Sequence, residues 1–308
     1  MRNLTLNSQK IFKCALIVYA VIFLAGILCA FIFGVSFDIN FSGGTKISYA
    51  YTGDLETADI EKTVDGVLEQ NFTVTKSTAL AGDTQTFEIS LIGKDALSAE
   101  TQEALTTSLE EAFADNGILL YNSNSVSPTI AGTFFAKSLV AILITALLVV
   151  VYVGIRFRKI GGVSAAVTAL CALVLDILIS FFVCVIFRLQ IDSNYIAVVL
   201  TLLGYSLNDT IVVYDRIREN ERLTPDKTID VIVNDSINAV KARNFVTTLT
   251  TFCAVMTIVV VAELFGLTTL RSFAIPMAFG LLSGCVTSLF VASPLWVVWK
   301  TRKTKKKA

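Results

Sequence analysis

The chain has no histidine in its 308 residues. That excludes the H-E-x-x-H zinc hydrolases and leaves carboxylates, lysine, tyrosine and cysteine as candidate proton carriers. It has little charge: 16% of residues, where a soluble domain carries roughly 25%. It has no cysteine in its long polar segment. Cys14, Cys29, Cys171, Cys184, Cys253 and Cys285 all fall in apolar runs, so a disulfide framework is not expected. It has no G-x-x-x-x-G-K-[ST] run, and so no P-loop for ATP. No nucleophile–base or metal pattern stands out, and the chain reads as a non-enzyme without cofactor.

What is present is apolar sequence, 54% of the residues. A hydrocarbon core of about 30 Å needs about 20 apolar residues as helix. Six spans meet this, at about 11–35, 134–155, 163–187, 195–214, 244–264 and 271–299. The first is too long for the apolar region of a signal peptide and is read as a retained helix. Lys and Arg set the orientation. Arg2, Lys10 and Lys13, then Arg156, Arg158 and Lys159, then Arg216 to Arg243, then the tail TRKTKKKA all fall on one side. Both termini are therefore expected in the cytoplasm. The expected organisation is a first segment at 1–35, an extracytoplasmic domain at 36–130, helices two to six at 131–299 with a cytoplasmic loop at about 215–243, and a basic tail at 300–308 that meets anionic lipid.

The segment 36–130 carries fifteen acids, four lysines and no arginine. It translocates regardless of charge because of its length. Residues 45–51 and 72–78 read as strands, AGDTQ as a turn, 86–92 as a strand and 117–121 as a last strand. Residues 56–70 and 98–115 carry helical periodicity. The order β-α-β-β-α-β is that of the ferredoxin-like motif, with another α+β arrangement of the same elements as the alternative.

Three acids lie in or beside the spans. A carboxylate at a helix centre costs about 2.5–3.5 kcal/mol, so such residues face a bundle interior or a water path. Asp209 lies fifteen residues past Asn194, about 22 Å along a helix. Tyr205, Ser206 and Asn208 cluster with it, and Tyr205 shares its face. Asp209 reads either as a proton carrier or as a structural polar contact. Asp176, in ALVLDILIS, must find its partner on another helix and is open between the same two roles. Glu263 sits near the outer end and reads as structural or exposed. Arg243, at the start of the fifth span, reads as an interfacial anchor or as a permanent cation reaching inward to Asp209. The charges from Asp215 to Arg222 read as a solvated helical extension with local ion pairs. Gly280, Gly284 and Ser288 recur every four residues, a spacing that lets helices approach closely. Pro276 and Pro294 are candidate kinks.

The run YSLNDTIVVYDRIREN resembles the SecF family of the bacterial SecD–SecF accessory complex, within the RND superfamily. DINFSGGT after the first helix, VYVGIRFRK, SINAVKARNFVTTLTT and TSLFVASPLW agree along nearly the whole chain. The resemblance implies six helices as half of an RND-type bundle with a ferredoxin-like outer domain. It implies partnership with a SecD-like subunit, a SecYEG-type channel, unfolded preproteins and membrane lipids, with no nucleic acid, in the bacterial cytoplasmic membrane. It implies use of the proton-motive force late in export, with the family's membrane aspartate at Asp209 and its arginine at Arg243. Asp176, Tyr205, Ser206 and Asn208 are supporting candidates. Asn40, Gly43, Gly44 and Thr45 are the family motif at the base of the outer domain. Three departures stand out. Asn40 replaces the motif's acid and Asp38 its first glycine, Leu175 replaces a histidine before Asp176, and Asn244 replaces the threonine after Arg243. A non-conducting scaffold subunit, and half of a small-molecule or lipid exporter, are the competing functions.

Overall fold

The computed structural model describes residues 8–68, 72–78, 85–92 and 97–305. The turn expected over 81–85, except Gln85, and the tail past 305 lie outside them. The chain runs α1 (Ser8–Phe33), α2 (Ile39–Ser42), β1 (Gly44–Tyr51), α3 (Thr57–Asp65), β2 (Phe72–Thr78), β3 (Gln85–Ile92), α4 (Ala99–Ala112) and β4 (Leu119–Val126). It continues with α5 (Pro128–Arg156), α6 (Gly162–Ile186), α7 (Ser193–Leu223), α8 (Ile229–Leu264), α9 (Thr268–Thr287) and α10 (Ser293–Lys305). Six helical stretches are long and apolar enough to cross a membrane: α1, α5, α6, α7, α8, and α9 with α10 as one. The protein is a multi-pass membrane protein.

The helices are longer than the apolar runs that announce them. α8 has 36 residues, about 54 Å at 1.5 Å per residue, well past a hydrocarbon core of about 30 Å. The expected loop at 215–243 is thus mostly helix, the ends of α7 and α8 joined by residues 224–228. Polar contacts replace the membrane there. Arg156 pairs with Asp215 at 3.1 Å, Lys227 pairs with Asp235 at 2.9 Å, and the Asn220 amide donates to Ser236 Oγ at 2.8 Å. Asp215, read as solvated, in fact ties α5 to α7.

Small residues decide how close the helices come. A Cβ on Gly162 would sit 2.1 Å from the Gly154 carbonyl oxygen, so α5 and α6 meet backbone to backbone. A Cβ on Gly280 would meet the Leu202 side chain at 2.4 Å, and one on Gly284 would meet Ser206 at 3.1 Å. The four-residue glycine spacing is therefore the contact face of α9 on α7. Between α9 and α10 the helix widens into a π turn at Ser288–Ala292. Pro294 lacks the N–H that would bond the Phe290 carbonyl in an ordinary turn, and the Ser293 hydroxyl donates to the Ser288 carbonyl at 3.2 Å.

The segment between α1 and α5 forms one antiparallel sheet in the order β2-β3-β1-β4. α3 and α4 cover one face through Ile60, Val64, Leu105 and Leu109, packed on Ile47, Tyr49, Phe87 and Ile89. This is the ferredoxin-like arrangement. β4 runs over Leu119–Val126 and not 117–121. Gly117, left-handed at φ 56°, ends a short turn of helix and delays the strand. The polar run Asn122–Ser125 extends β4 by backbone pairing with β1, which leaves no apolar signal.

Two junctions seat this domain on the bundle. Gly43, at φ 77°, lies against Pro128 at the start of α5, where a Cβ would meet the Pro128 Cα at 2.9 Å. Phe37 forms a parallel bridge with Ile191: Asp38 N donates to Ile191 O at 3.1 Å and Ile191 N to Ser36 O at 2.8 Å. The strand leaving α1 is thereby joined to the turn that begins α7.

Candidate functional site

α7 begins at Asp192, whose carboxylate caps it by accepting from Asn194 N at 3.0 Å and Tyr195 N at 3.1 Å. The helix then turns an inward face through Val199, Leu202, Leu203, Ser206, Asp209, Thr210 and Val213, all buried. Asp209 is 2% exposed. Its Oδ2 accepts from Thr248 Oγ1 of α8 at 3.3 Å, a long bond for a carboxylate. Asn208, one residue earlier, faces outward and is exposed. Tyr205 points to α8, where its hydroxyl donates to Thr247 O at 3.1 Å and Thr251 Oγ1 at 3.0 Å.

Arg243, open on sequence between an interfacial anchor and a cation reaching inward, does not reach inward. Its side chain is exposed, and the ion pairs among the described residues include none between it and Asp209. It acts on Asp209 only through its Coulomb field. The reason is helical phase. Residues four apart on α8 share a face, and that face presents Asn244 and Thr248 to α7, both buried. Asn244 Nδ2 lies 3.4 Å from the Asp209 carbonyl oxygen. The residue that replaces the family threonine thus touches the Asp209 backbone, and the arginine stands one step round the helix.

Asp176 is the better-furnished acid. It is fully buried on α6. Ser206 Oγ donates to its Oδ2 at 2.5 Å. Ser283 Oγ donates to Oδ1 at 2.6 Å, and Thr287 Oγ1 lies 2.9 and 3.0 Å from the two oxygens. Hydroxyls from α7 and α9 therefore surround it. No lysine or arginine pairs with it among the described residues. Ser206, grouped with Asp209 on sequence, serves Asp176 instead. Sequence reading passed over Ser283 and Thr287, although they stand four residues apart beside the Gly280–Gly284 pair. A hydroxyl pair at that spacing next to a close-packing stripe was the available signal. The two acids are connected through α7, since Ser206, the donor to Asp176, stands three residues before Asp209.

The motif at the base of the outer domain lies elsewhere. Asp38 is the N-cap of α2, accepting from Asn40 N and, at 2.6 Å, from Asn40 Nδ2. The two departures from the family pattern thus bond to each other. Gly43 and Gly44 open β1 with positive φ. Thr45 Oγ1 bonds Ser125 Oγ at 2.8 Å and accepts from Leu97 N at 3.0 Å. These contacts stiffen the root of the domain. Glu263 pairs with Arg271 at 3.0 Å, both partly exposed. Among the described residues no group of three His, Cys, Asp or Glu side chains is placed to hold a metal.

Residues 105–302 match the family described as protein export membrane protein SecD/SecF, C-terminal. The chain is 30% identical over 311 residues to the protein translocase subunit SecF of Petrotoga mobilis, covering 99% of this chain and 100% of that protein. It is 30% identical over 286 residues to the protein translocase subunit SecDF of Bacillus subtilis, covering 92% of this chain and 36% of that longer protein. Among solved structures it is similar to SecDF from Thermus thermophilus, described as a translocon-associated membrane protein, with a TM-score of 0.76 and 26% identity over 96% of this chain and 38% of that one. The chain therefore spans little more than a third of its SecDF relatives, and the whole of its Petrotoga relative.

Proposed function

Because the chain belongs to the SecD/SecF family of protein-export membrane proteins, we propose that it is the SecF half of a SecD–SecF unit that uses the proton-motive force to assist late steps of preprotein export. Its partners are a SecD half, fused to the matching region in the Bacillus relative, together with a SecYEG-type channel, unfolded preproteins and the surrounding lipid. The membrane is the bacterial cytoplasmic membrane. Both termini and the α7–α8 hairpin lie in the cytoplasm, and the sheet domain lies outside.

One observation carries this reading: Asp209 is buried in the bundle with, among the described residues, a single long hydroxyl contact and no bonded cation. Such a carboxyl has little to lose when it takes up a proton. Arg243 is the fixed positive charge nearby, and it cannot titrate. Each charge that crosses the membrane supplies about 2.3 kcal/mol per 100 mV. Protonation of Asp209 removes its attraction to Arg243 and frees α7 to shift against α8. The Ile191–Phe37 bridge hands that shift to the outer domain, alongside α1 and α5. Asp176, Tyr205 and Ser206 hold α7 against its neighbours during the cycle, and Asn208 faces the SecD half.

The test is Asp209→Asn, nearly isosteric and always neutral, in inverted vesicles containing the assembled unit. The ATP-driven part of export is expected to stay, and the part added by an imposed proton-motive force is expected to fall at least tenfold, on the order of 1.4 kcal/mol of lost coupling. Full stimulation in the variant at normal assembly would transfer the coupling to SecD and leave this chain as a scaffold.

A further inference from the structure

α1 is held to the bundle thinly. Leu16, Ile17, Val18, Val21 and Leu24 are exposed along it, whereas Ala15 and Tyr19 are buried. Tyr19 ends at the cage of Asp176. Its hydroxyl lies 3.1 Å from Ser283 Oγ and 3.4 Å from the Ser283 carbonyl oxygen. Past Phe33 the same helix leads through residues 34–38 into α2 and β1 of the outer domain. The one buried polar group of α1 among its described side chains thus touches the hydroxyl that touches Asp176.

Each hydroxyl has one proton to give. With Asp176 ionised, Ser283 spends its proton on Oδ1 at 2.6 Å, so Tyr19 must donate to Ser283 Oγ. When Oδ1 binds a proton, the new O–H needs an acceptor, and Ser283 Oγ at 2.6 Å is nearer than Thr287 Oγ1 at 2.9 Å. Ser283 then turns its proton to the Tyr19 oxygen, and Tyr19 must redirect its own to the Ser283 carbonyl. Oδ2 offers no route to α1, because its partners Ser206 Oγ and Thr287 Oγ1 bond to no α1 residue among the described residues. The titratable groups that face this chain of hydroxyls are Tyr19 on α1, Asp209 on α7 and Cys285 on α9.

We propose that Asp176 is a second proton-binding carboxyl, and that Ser283 and Tyr19 report its charge to α1 and so to the outer domain. The proton comes from the gradient, forms one O–H bond at Oδ1 and leaves by the same bond when Asp176 re-ionises. No other bond changes order. Tyr19 and Ser283 act through Asp176 and are positioning residues. The proposal takes its proton source from the function proposed above.

Infrared difference spectra of the full chain in lipid vesicles, acid against alkaline buffer, read protonated carboxyls directly. A protonated-carboxyl band that disappears in Asp176→Asn is expected. In Tyr19→Phe, which removes only the hydroxyl, that band should shift while a second band, lost in Asp209→Asn, stays in place. Export stimulated by the proton-motive force should fall about five-fold in Tyr19→Phe, the scale of one hydrogen bond, with its ATP-driven part kept. A band missing in wild type, or the same in Tyr19→Phe, would overturn the proposal. Unchanged export in Asp209→Asn would instead overturn the function proposed above.

Discussion

At the scale of single residues, the two acids differ in how much of their burial is answered. Asp209 has one hydroxyl at 3.3 Å, and Asp176 has three, at 2.5 to 3.0 Å. Hydrogen bonds to a charged group are worth about 1.5–3 kcal/mol, and a buried acceptor stripped of one loses that much. Ser206→Ala is therefore expected to destabilise the bundle by about 2 kcal/mol, read as a lower unfolding temperature in detergent, with the outer sheet unaffected. An unchanged transition would show that Asp176 does not depend on that bond. Asp209 was legible because it interrupts an apolar run with polar neighbours. The cage of Asp176 was not, because its members come from helices far apart in sequence and each alone looks like an ordinary helical serine or threonine. The sequence left Arg243 open between an interfacial anchor and an inward reach to Asp209. Only the phase of α8 against α7 decides that Asn244 faces Asp209 and Arg243 faces out.

At the scale of elements, packing follows the smallest residues. α5 and α6 touch where Gly154 and Gly162 meet, and a Cβ there would strike backbone that has nowhere to turn. Gly162→Ala should therefore force the helices apart and cost about 3 kcal/mol or more, the upper range for overpacking. Gly280→Ala, which meets the end of a leucine side chain, should cost less. Equal unfolding temperatures for the two variants would count against this close contact. The strands and helices of the outer domain were legible from period-2 and period-3.6 patterns, down to the sheet topology. The far half of β4 was hidden, since an exposed edge strand made of Asn and Ser carries no alternation. The helical hairpin at 215–243 was legible only in its first part. The charges from Asp215 to Arg222 read as a helical extension with local ion pairs, which form, while the pair between helices, Arg156 with Asp215, carried no sequence signal.

At the scale of the whole molecule, the architecture places two buried acids under a domain rooted at three points: α1, α5 and the Ile191–Phe37 bridge. The bridge joins that root to the start of α7, the helix that carries Asp209. A charge change on α7 therefore has a backbone route outward, beside the hydroxyl route proposed from Asp176 of α6 to α1. A fold that only scaffolds has no need for a carboxyl as poorly answered as Asp209, with one hydroxyl at 3.3 Å among the described residues, since an unpaired buried charge costs several kcal/mol. The most direct measurement is proton uptake by sealed vesicles containing the chain with its SecD half, driven by an imposed potential while a preprotein is held in the channel. The account predicts uptake above protein-free vesicles that is lost in Asp209→Asn. Uptake of the same size in that variant, or none in the wild-type protein, would contradict it.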